Sequence, residues 1–132
     1  MSGLTASALI VEDEDDVRFT IKTLLSRLDV TIYEASSGIE AVDLAGEIDQ
    51  LGVVLLDVGL PDIDGWETLD RIRAFCDVPI MVLSARDHDR SALAPPEGPD
   101  WFLSKPFSNV ELLTVVAELL ARGHDRIHEV RS

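Results

Sequence analysis

Short apolar runs alternate with stretches of helical periodicity along the whole chain. Ala8–Val11 is apolar and is closed by Glu12-Asp13-Glu14-Asp15-Asp16. Val17, Ile21, Leu24, Leu25 and Leu28 then recur at helical spacing. Val30–Ala35 alternates as a strand does, and Ser36-Ser37-Gly38 opens a second helix with Ile39, Val42 and Ala45 or Leu44 expected on its inner face. Val53–Leu56 is continuously apolar, the pattern of a strand covered on both faces. Asp57 ends it, and Pro61, Asp62, Asp64 and Gly65 mark a loop before a helix from about Trp66 to Phe75. Pro79–Leu83 and Trp101–Leu103 read as further strands. Ser108-Asn109-Val110-Glu111 has the form of a capping box. It starts a last helix to about Arg122, with Leu112, Val116, Leu119 and Leu120 inward.

Strand–helix alternation with short connections predicts right-handed crossovers and a parallel sheet. Five such units predict an α/β, flavodoxin-like, doubly wound five-stranded sheet of order 2-1-3-4-5 with five helices. The fourth helix is expected to be short, about Asp87–Leu93, because Ala94-Pro95-Pro96 cannot continue it. Ligands in such sheets bind at the carboxyl ends of the strands, at the switch point between strands 1 and 3. The residues at those two ends are Glu12-Asp13 and Asp57.

Composition narrows the function classes. The 132 residues suit one domain, and no apolar run approaches the roughly 18 to 20 residues that span a membrane. MSGLTASA lacks the basic segment of a secretory signal, and Cys76 is the only cysteine, so a cytoplasmic setting without disulfides is expected. Lys and Arg number 11 against 25 Asp and Glu, for a net charge of −14. Nucleic-acid binding by this chain itself is therefore not expected, because phosphate neutralisation needs a basic face. The two lysines are Lys22 and Lys105.

Three carboxylates at one strand edge repel one another unless a cation compensates. Mg²⁺ suits such an edge, since it takes oxygen ligands: one or two carboxylates, waters and a phosphate. Strand 4 delivers Ser84 alongside, and strand 5 delivers Ser104 and then Lys105. Acids for a metal, an acid to attack phosphorus, and a hydroxyl and a lysine to hold phosphoryl oxygens form a phosphoryl-transfer set. Each member has a plainer reading. Asp15 and Asp16 suit a helix start, Asp57 a loop cap, Ser84 a helix cap, and Lys105 an ordinary surface site. Their joint arrival at the ends of strands 1, 3, 4 and 5 is what favours the site.

From Ala8 to about Arg122 the chain resembles the receiver (CheY-like) domain of bacterial two-component response regulators. The resemblance rests on LIVEDE, LLDVGLPDIDGW, MVLSAR and WFLSKPF. Its flavour is that of the winged-helix DNA-binding class. It implies that Asp57 takes a phosphoryl group from a sensor histidine kinase, and that Asp13, Asp57 and the Gly59 backbone carbonyl bind Mg²⁺. Glu12 would act through a metal-bound water. Lys105 would pair with Asp57 and then with the phosphoryl group, Ser84 would move to hydrogen-bond it, and Phe102 would turn inward as the switch aromatic. Lys105–Pro106 would be cis. The protein would catalyse only its own phosphoryl transfer and dephosphorylation. Residues 1–122 would be the receiver domain and 123–132 a polar tail or linker stub, where His124 and His128 read as solvated.

The chain also departs from the family. The stretch from Ser84 to Lys105 is about one residue short, and Trp101 stands where relatives often carry Asp. Phe102 lacks a phenolic hydroxyl, and Gly59 sets no side chain over the acceptor. The face made by helix 4, strand 5 and helix 5, the family's surface for a homodimer or output partner, is altered accordingly. Trp101 either anchors an interface there or packs against helix 5. A pseudo-receiver acting as a phosphorylation-independent interaction module is the alternative. A phosphohydrolase of the aspartyl-nucleophile kind needs a second Asp where Gly59 stands. A flavin domain needs a phosphate cradle where Glu12–Asp16 would repel phosphate.

Overall fold

The computed structural model describes residues 5–60, 62–85 and 89–131, with side chains described except at 89, 91 and 123–131. Five parallel strands form one sheet: β1 (Ser7–Val11), β2 (Thr31–Ala35), β3 (Leu51–Asp57), β4 (Ile80–Ser84) and β5 (Trp101–Ser104). Their spatial order is β2-β1-β3-β4-β5, the doubly wound flavodoxin-like arrangement. The helices are α1 (Asp15–Leu25), α2 (Gly38–Glu47), α3 (Gly65–Arg73) and α4 (Asn109–Arg131).

Alternate side chains of the central strands serve two cores. Ala8, Ile10, Val53, Leu55, Met81 and Leu83 pack with Ile21 and Leu25 of α1 and Leu112, Val116 and Leu119 of α4. Leu9, Val11, Val54, Leu56, Ile80 and Val82 pack with Ala41 and Ala45 of α2 and Leu69 and Ile72 of α3. Burial on both faces is why β1, β3 and β4 read as unbroken apolar runs.

Local chemistry sets the helix starts. The Ser37 side chain accepts from the Glu40 backbone N–H at 3.2 Å, that of Asp64 from Glu67 at 2.8 Å, and that of Ser108 from Glu111 at 3.2 Å, as expected for the last helix. Asp62 adds a tie between elements. Its two carboxylate oxygens accept from the Gly38 and Ile39 N–H groups at 2.9 and 2.8 Å, so the loop after β3 is clipped to the start of α2. These backbone donors, Ile39 first, pull the Asp62 carboxyl down to about 2.

Two expectations need correction. On α2, Ala45 is buried as expected and Val42 and Leu44 pack against the core, but Ile39 is exposed, and Gly38 and Ala41 are buried instead. Gly38 faces α3 so closely that a Cβ there would lie 2.4 Å from Thr68 Oγ1, so small residues, not the largest apolar ones, make that contact. The last helix does not stop near Arg122 but runs to Arg131. The side chains of His124 and His128 lie outside the described residues.

The fourth helix is short, as expected: a 3-10 turn, Asp89–Ala92, followed by the cis-linked Pro95–Pro96 pair, with Asp87 and His88 outside the described residues. Among the described residues no α-helical ladder holds this segment, and Arg90 gathers it. That guanidinium donates to Asp70 of α3 at 3.1 and 2.5 Å and to the Glu97 carbonyl at 3.0 and 2.8 Å. It also lies 5.3 Å from the centre of the Trp66 ring. Trp101 is 38% exposed.

Glycine spacing gives a contrast in stability. A Cβ at Gly65 would fall 2.3 Å from Val58 Cα and 2.7 Å from the Asp57 carbonyl oxygen, both backbone. Gly65→Ala is expected to cost about 1–3 kcal/mol in urea unfolding. At Gly46, inside α2, the nearest atom would be Phe75 Cε1 at 3.9 Å. Gly46→Ala is expected to add about 0.5–1 kcal/mol by the same measurement.

Candidate functional site

The sheet register gathers the chemistry-bearing residues at one edge. Val11 pairs with Leu56, so Glu12 and Asp57 come next on adjacent strands. Asp57 pairs with Leu83, and Ser84 with Ser104. Beyond them the Lys105 backbone N–H donates to the Ser84 carbonyl at 2.8 Å, and Lys105–Pro106 is cis. Glu12 N–H likewise continues the ladder by donating to Ala35 O at 3.0 Å. Four strands thus deliver two carboxylates, a hydroxyl and an ammonium side by side, with Asp13 one residue further along.

A cleft of about 500 Å³ opens at this edge, lined by Asp13, Asp57, Gly59, Ser84 and Lys105 among others. Asp57 and Ser84 are buried, Asp13 is exposed, and Glu12 is fully buried behind the cleft. Lys105 Nζ bridges the two buried acids, 3.1 Å from Glu12 Oε1 and 3.4 Å from Asp57 Oδ1. Glu12 Oε2 accepts from the Glu14 N–H at 3.2 Å. A Cβ at Gly59 would sit 3.9 Å from Asp57 Oδ2, so nothing from that residue covers this oxygen. Phe102 is half-buried on the core facing α2 and α3 and does not line the cleft.

The electrostatics show an uncompensated site. Burial, then repulsion from Asp57, pushes the Glu12 carboxyl up to about 7 despite the lysine. Burial works against the Lys105 ammonium, yet Asp57 and Glu12 outweigh it and hold its pKa above the ordinary value. Oxygens of Glu12, Asp13 and Asp57 all lie within 4.8 Å of one another. Three carboxylates against one ammonium leave two negative charges, and every donor is a hard oxygen. That set fits a divalent ion of the Mg²⁺ type.

Asp64 and Trp66 are among the cleft residues not identified as site residues from the sequence. Asp64 lines the cleft as well as capping α3. Its signal was present, since Asp64-x-x-Glu67 is a capping pattern beside the acceptor loop. Trp66 also lines the cleft while packing into the core. An apolar residue at a helix start carries no mark that distinguishes these positions.

Comparison with known proteins agrees with this geometry. Residues 8–117 match the family model of the response regulator receiver domain. The transcriptional regulatory protein SrrA of Staphylococcus aureus is 38% identical over 115 residues, covering 86% of this chain and 47% of SrrA. The chain thus spans about half the length of the curated relatives it matches. Among solved structures, a CheY-like receiver domain protein from Methanospirillum hungatei JF-1 superposes with a TM-score of 0.78 at 30% identity. That match covers 91% of this chain and 98% of the other. The receiver domain of sensor histidine kinase PA1611 from Pseudomonas aeruginosa PAO1, whose active-site cleft coordinates a magnesium ion, gives 0.74 at 28% identity, covering 89% and 98%. Among the described residues, no helix is long and apolar enough to cross a membrane.

The raised Glu12 pKa has a defined sign. The folded state holds the Glu12 proton more tightly than the unfolded chain, whose glutamate titrates near 4.3. Stability of the metal-free protein should therefore fall as pH rises from about 4.3 towards about 7. Glu12→Gln should remove that fall and raise stability at pH 8 by on the order of 2 kcal/mol, read by urea unfolding in EDTA. Carboxyl NMR should show Glu12 titrating lower in Asp57→Asn, where the repelling charge is gone.

Proposed function

The chain belongs to the response regulator receiver family, and on that premise we propose that Asp57 is its phospho-acceptor, served by Glu12, Asp13, Ser84 and Lys105. The observation that carries this is the Lys105 ammonium, which lines the cleft and is held between the buried Glu12 and Asp57. The phosphorylation-independent interaction module is not favoured, since an inert fold has no need of this buried, mutually repelling set.

Each residue has a task in the reaction. A carboxylate oxygen of Asp57 attacks the phosphorus of a kinase phosphohistidine, and an O–P bond forms as the N–P bond breaks. The electron pair returns to the imidazole, which takes up a proton. Lys105 moves from pairing with the carboxylate to pairing with a phosphoryl oxygen, so its charge stays matched throughout. The Ser84 hydroxyl donates to another phosphoryl oxygen. Asp13, Asp57 and the Gly59 carbonyl would hold Mg²⁺, with Glu12 acting through a bound water. The ion supplies neutralisation of charge on the phosphoryl oxygens and on the carboxylates. The open approach past Gly59 to Asp57 Oδ2 leaves water a path to the aspartyl phosphate, so the chain also removes its own phosphoryl group.

The output reading rests on different support. SrrA is a transcriptional regulator about twice the length of the matched region, which supports a regulator of the winged-helix DNA-binding class. This chain carries a net charge of −14 and would leave DNA contacts to another module. Phe102 would serve as the switch aromatic. The exposed Trp101, beside the Arg90-held segment, would supply the apolar anchor of a homodimer or output face made with α4. The receiver unit is taken as residues 1–122, with 123–132 a polar tail or linker stub, in a cytoplasmic protein.

Two experiments test the reading. Asp57→Asn should abolish labelling by acetyl phosphate, and stoichiometric labelling of that variant would sink the assignment. Beryllofluoride with Mg²⁺ should change the fluorescence of Trp66 in the wild type, whereas Asp13→Ala should lose the Mg²⁺ response. An unchanged titration in Asp13→Ala would count against the metal role.

A further inference from the structure

The turn that carries Glu12 and Asp13 is held by a residue outside the cleft. Arg18, one turn into α1, points its guanidinium back at this turn and is mostly buried. Its Nη1 donates to the main-chain carbonyl of Glu12 at 2.8 Å. Its Nε donates to Glu34 Oε1 of β2 at 3.2 Å, and its Nη2 to Asp15 Oδ1 at 2.6 Å. Lys22 steadies the same anchor by pairing with Glu34 Oε2 at 3.0 Å. The guanidinium therefore joins three places: the end of β1, the edge strand β2 and the first turn of α1.

The held carbonyl belongs to the peptide unit between Glu12 and Asp13. That unit is planar, so fixing its oxygen fixes the direction in which Asp13 leaves the sheet. Asp13 is exposed, and its aim is set by the backbone that carries it. The other polar atoms of Glu12 are already committed, N–H to Ala35 O and side chain to Lys105 and the Glu14 N–H. The carbonyl is the remaining handle on the turn, and Arg18 takes it. Its charge, in contrast, is matched on the spot by Asp15 and Glu34. What Arg18 brings to the site is thus direction rather than positive potential. A planar fork with fixed donor directions does this, and a lysine ammonium on a flexible stem cannot span the same three acceptors.

We propose that Arg18 is a positioning residue for the metal-side turn: by clamping the Glu12 carbonyl to Glu34 and Asp15, it aims the Asp13 carboxylate into the cleft. This rests on the reading of that cleft as a Mg²⁺ site.

The test is Mg²⁺ titration of the full chain, followed by tryptophan fluorescence, with thermal unfolding in EDTA alongside. Arg18→Lys and Arg18→Gln are expected to weaken Mg²⁺ binding about 10- to 100-fold, the usual cost of losing a residue that orients a metal ligand. Labelling by acetyl phosphate at saturating Mg²⁺ should stay within about twofold of wild type, with only the Mg²⁺ requirement raised. Glu34→Gln, which keeps Arg18 but loosens its anchor, should shift binding in the same direction by less, and it serves if the Arg18 variants unfold. Wild-type affinity in Arg18→Lys, or in both Arg18→Gln and Glu34→Gln, overturns the proposal. A wild-type chain that shows no Mg²⁺ binding overturns instead the metal reading beneath it.

Discussion

A single ammonium stands among three carboxylates at the carboxyl end of the sheet, and the rest of the site is arranged around that imbalance. Lys105 reaches Glu12 and Asp57 together but leaves two negative charges over. At an effective dielectric of about 20, unit charges about 4 Å apart interact by about 4 kcal/mol, so the imbalance is expensive wherever water is excluded. The protein meets it in two ways. Glu12, the most buried of the three, holds a proton up to about pH 7. The others face a cleft where a divalent ion and a phosphoryl group can enter. A site poised in this way is better satisfied by ligands than without them, which is the property a phosphorylation switch requires.

Keeping such a cluster together demands a rigid frame, and the parallel sheet supplies it. Strands β1, β3 and β4 are buried on both faces, so their register cannot slip without moving apolar side chains out of both cores. The loops are tied down separately. Asp62 clips the loop after β3 to α2, Gly65 lets α3 start hard against the backbone of Asp57 and Val58, and Arg18 clamps the turn after β1. Asp57 and the Glu12–Asp13 turn are thus each held by an element that packs elsewhere.

The segment between β4 and β5 is built less regularly. Where a short fourth helix was expected, a 3-10 turn and a cis-linked proline pair are gathered by Arg90 onto Asp70, the Glu97 carbonyl and the Trp66 ring. Trp66 in turn lines the cleft that holds Asp57. A short path of contacts therefore joins the site to the altered segment, through side chains rather than through a helix that shifts as a unit.

Much of this was legible in the order of residues. Unbroken apolar runs marked the buried strands, the Ser108–Glu111 box marked the last helix, and strand ends named Glu12, Asp13, Asp57, Ser84 and Lys105. These are local patterns, and strand alternation with short crossovers leaves few topologies, so they determined the fold and the roster of the site. Other features depended on distance in space and had no local mark. Gly38 and Ala41, rather than Ile39, face inward on α2, and at Gly38 the side chains of Thr68 and Ile63 leave no room for a Cβ. Trp66 serves core and cleft at once, and Arg18 meets a carbonyl six residues back only because α1 folds over the turn. The sequence by itself determined which groups exist at the sheet edge. The tertiary structure decided which oxygen faces which nitrogen, because charge and orientation depend on distances that strands remote in the chain set between them.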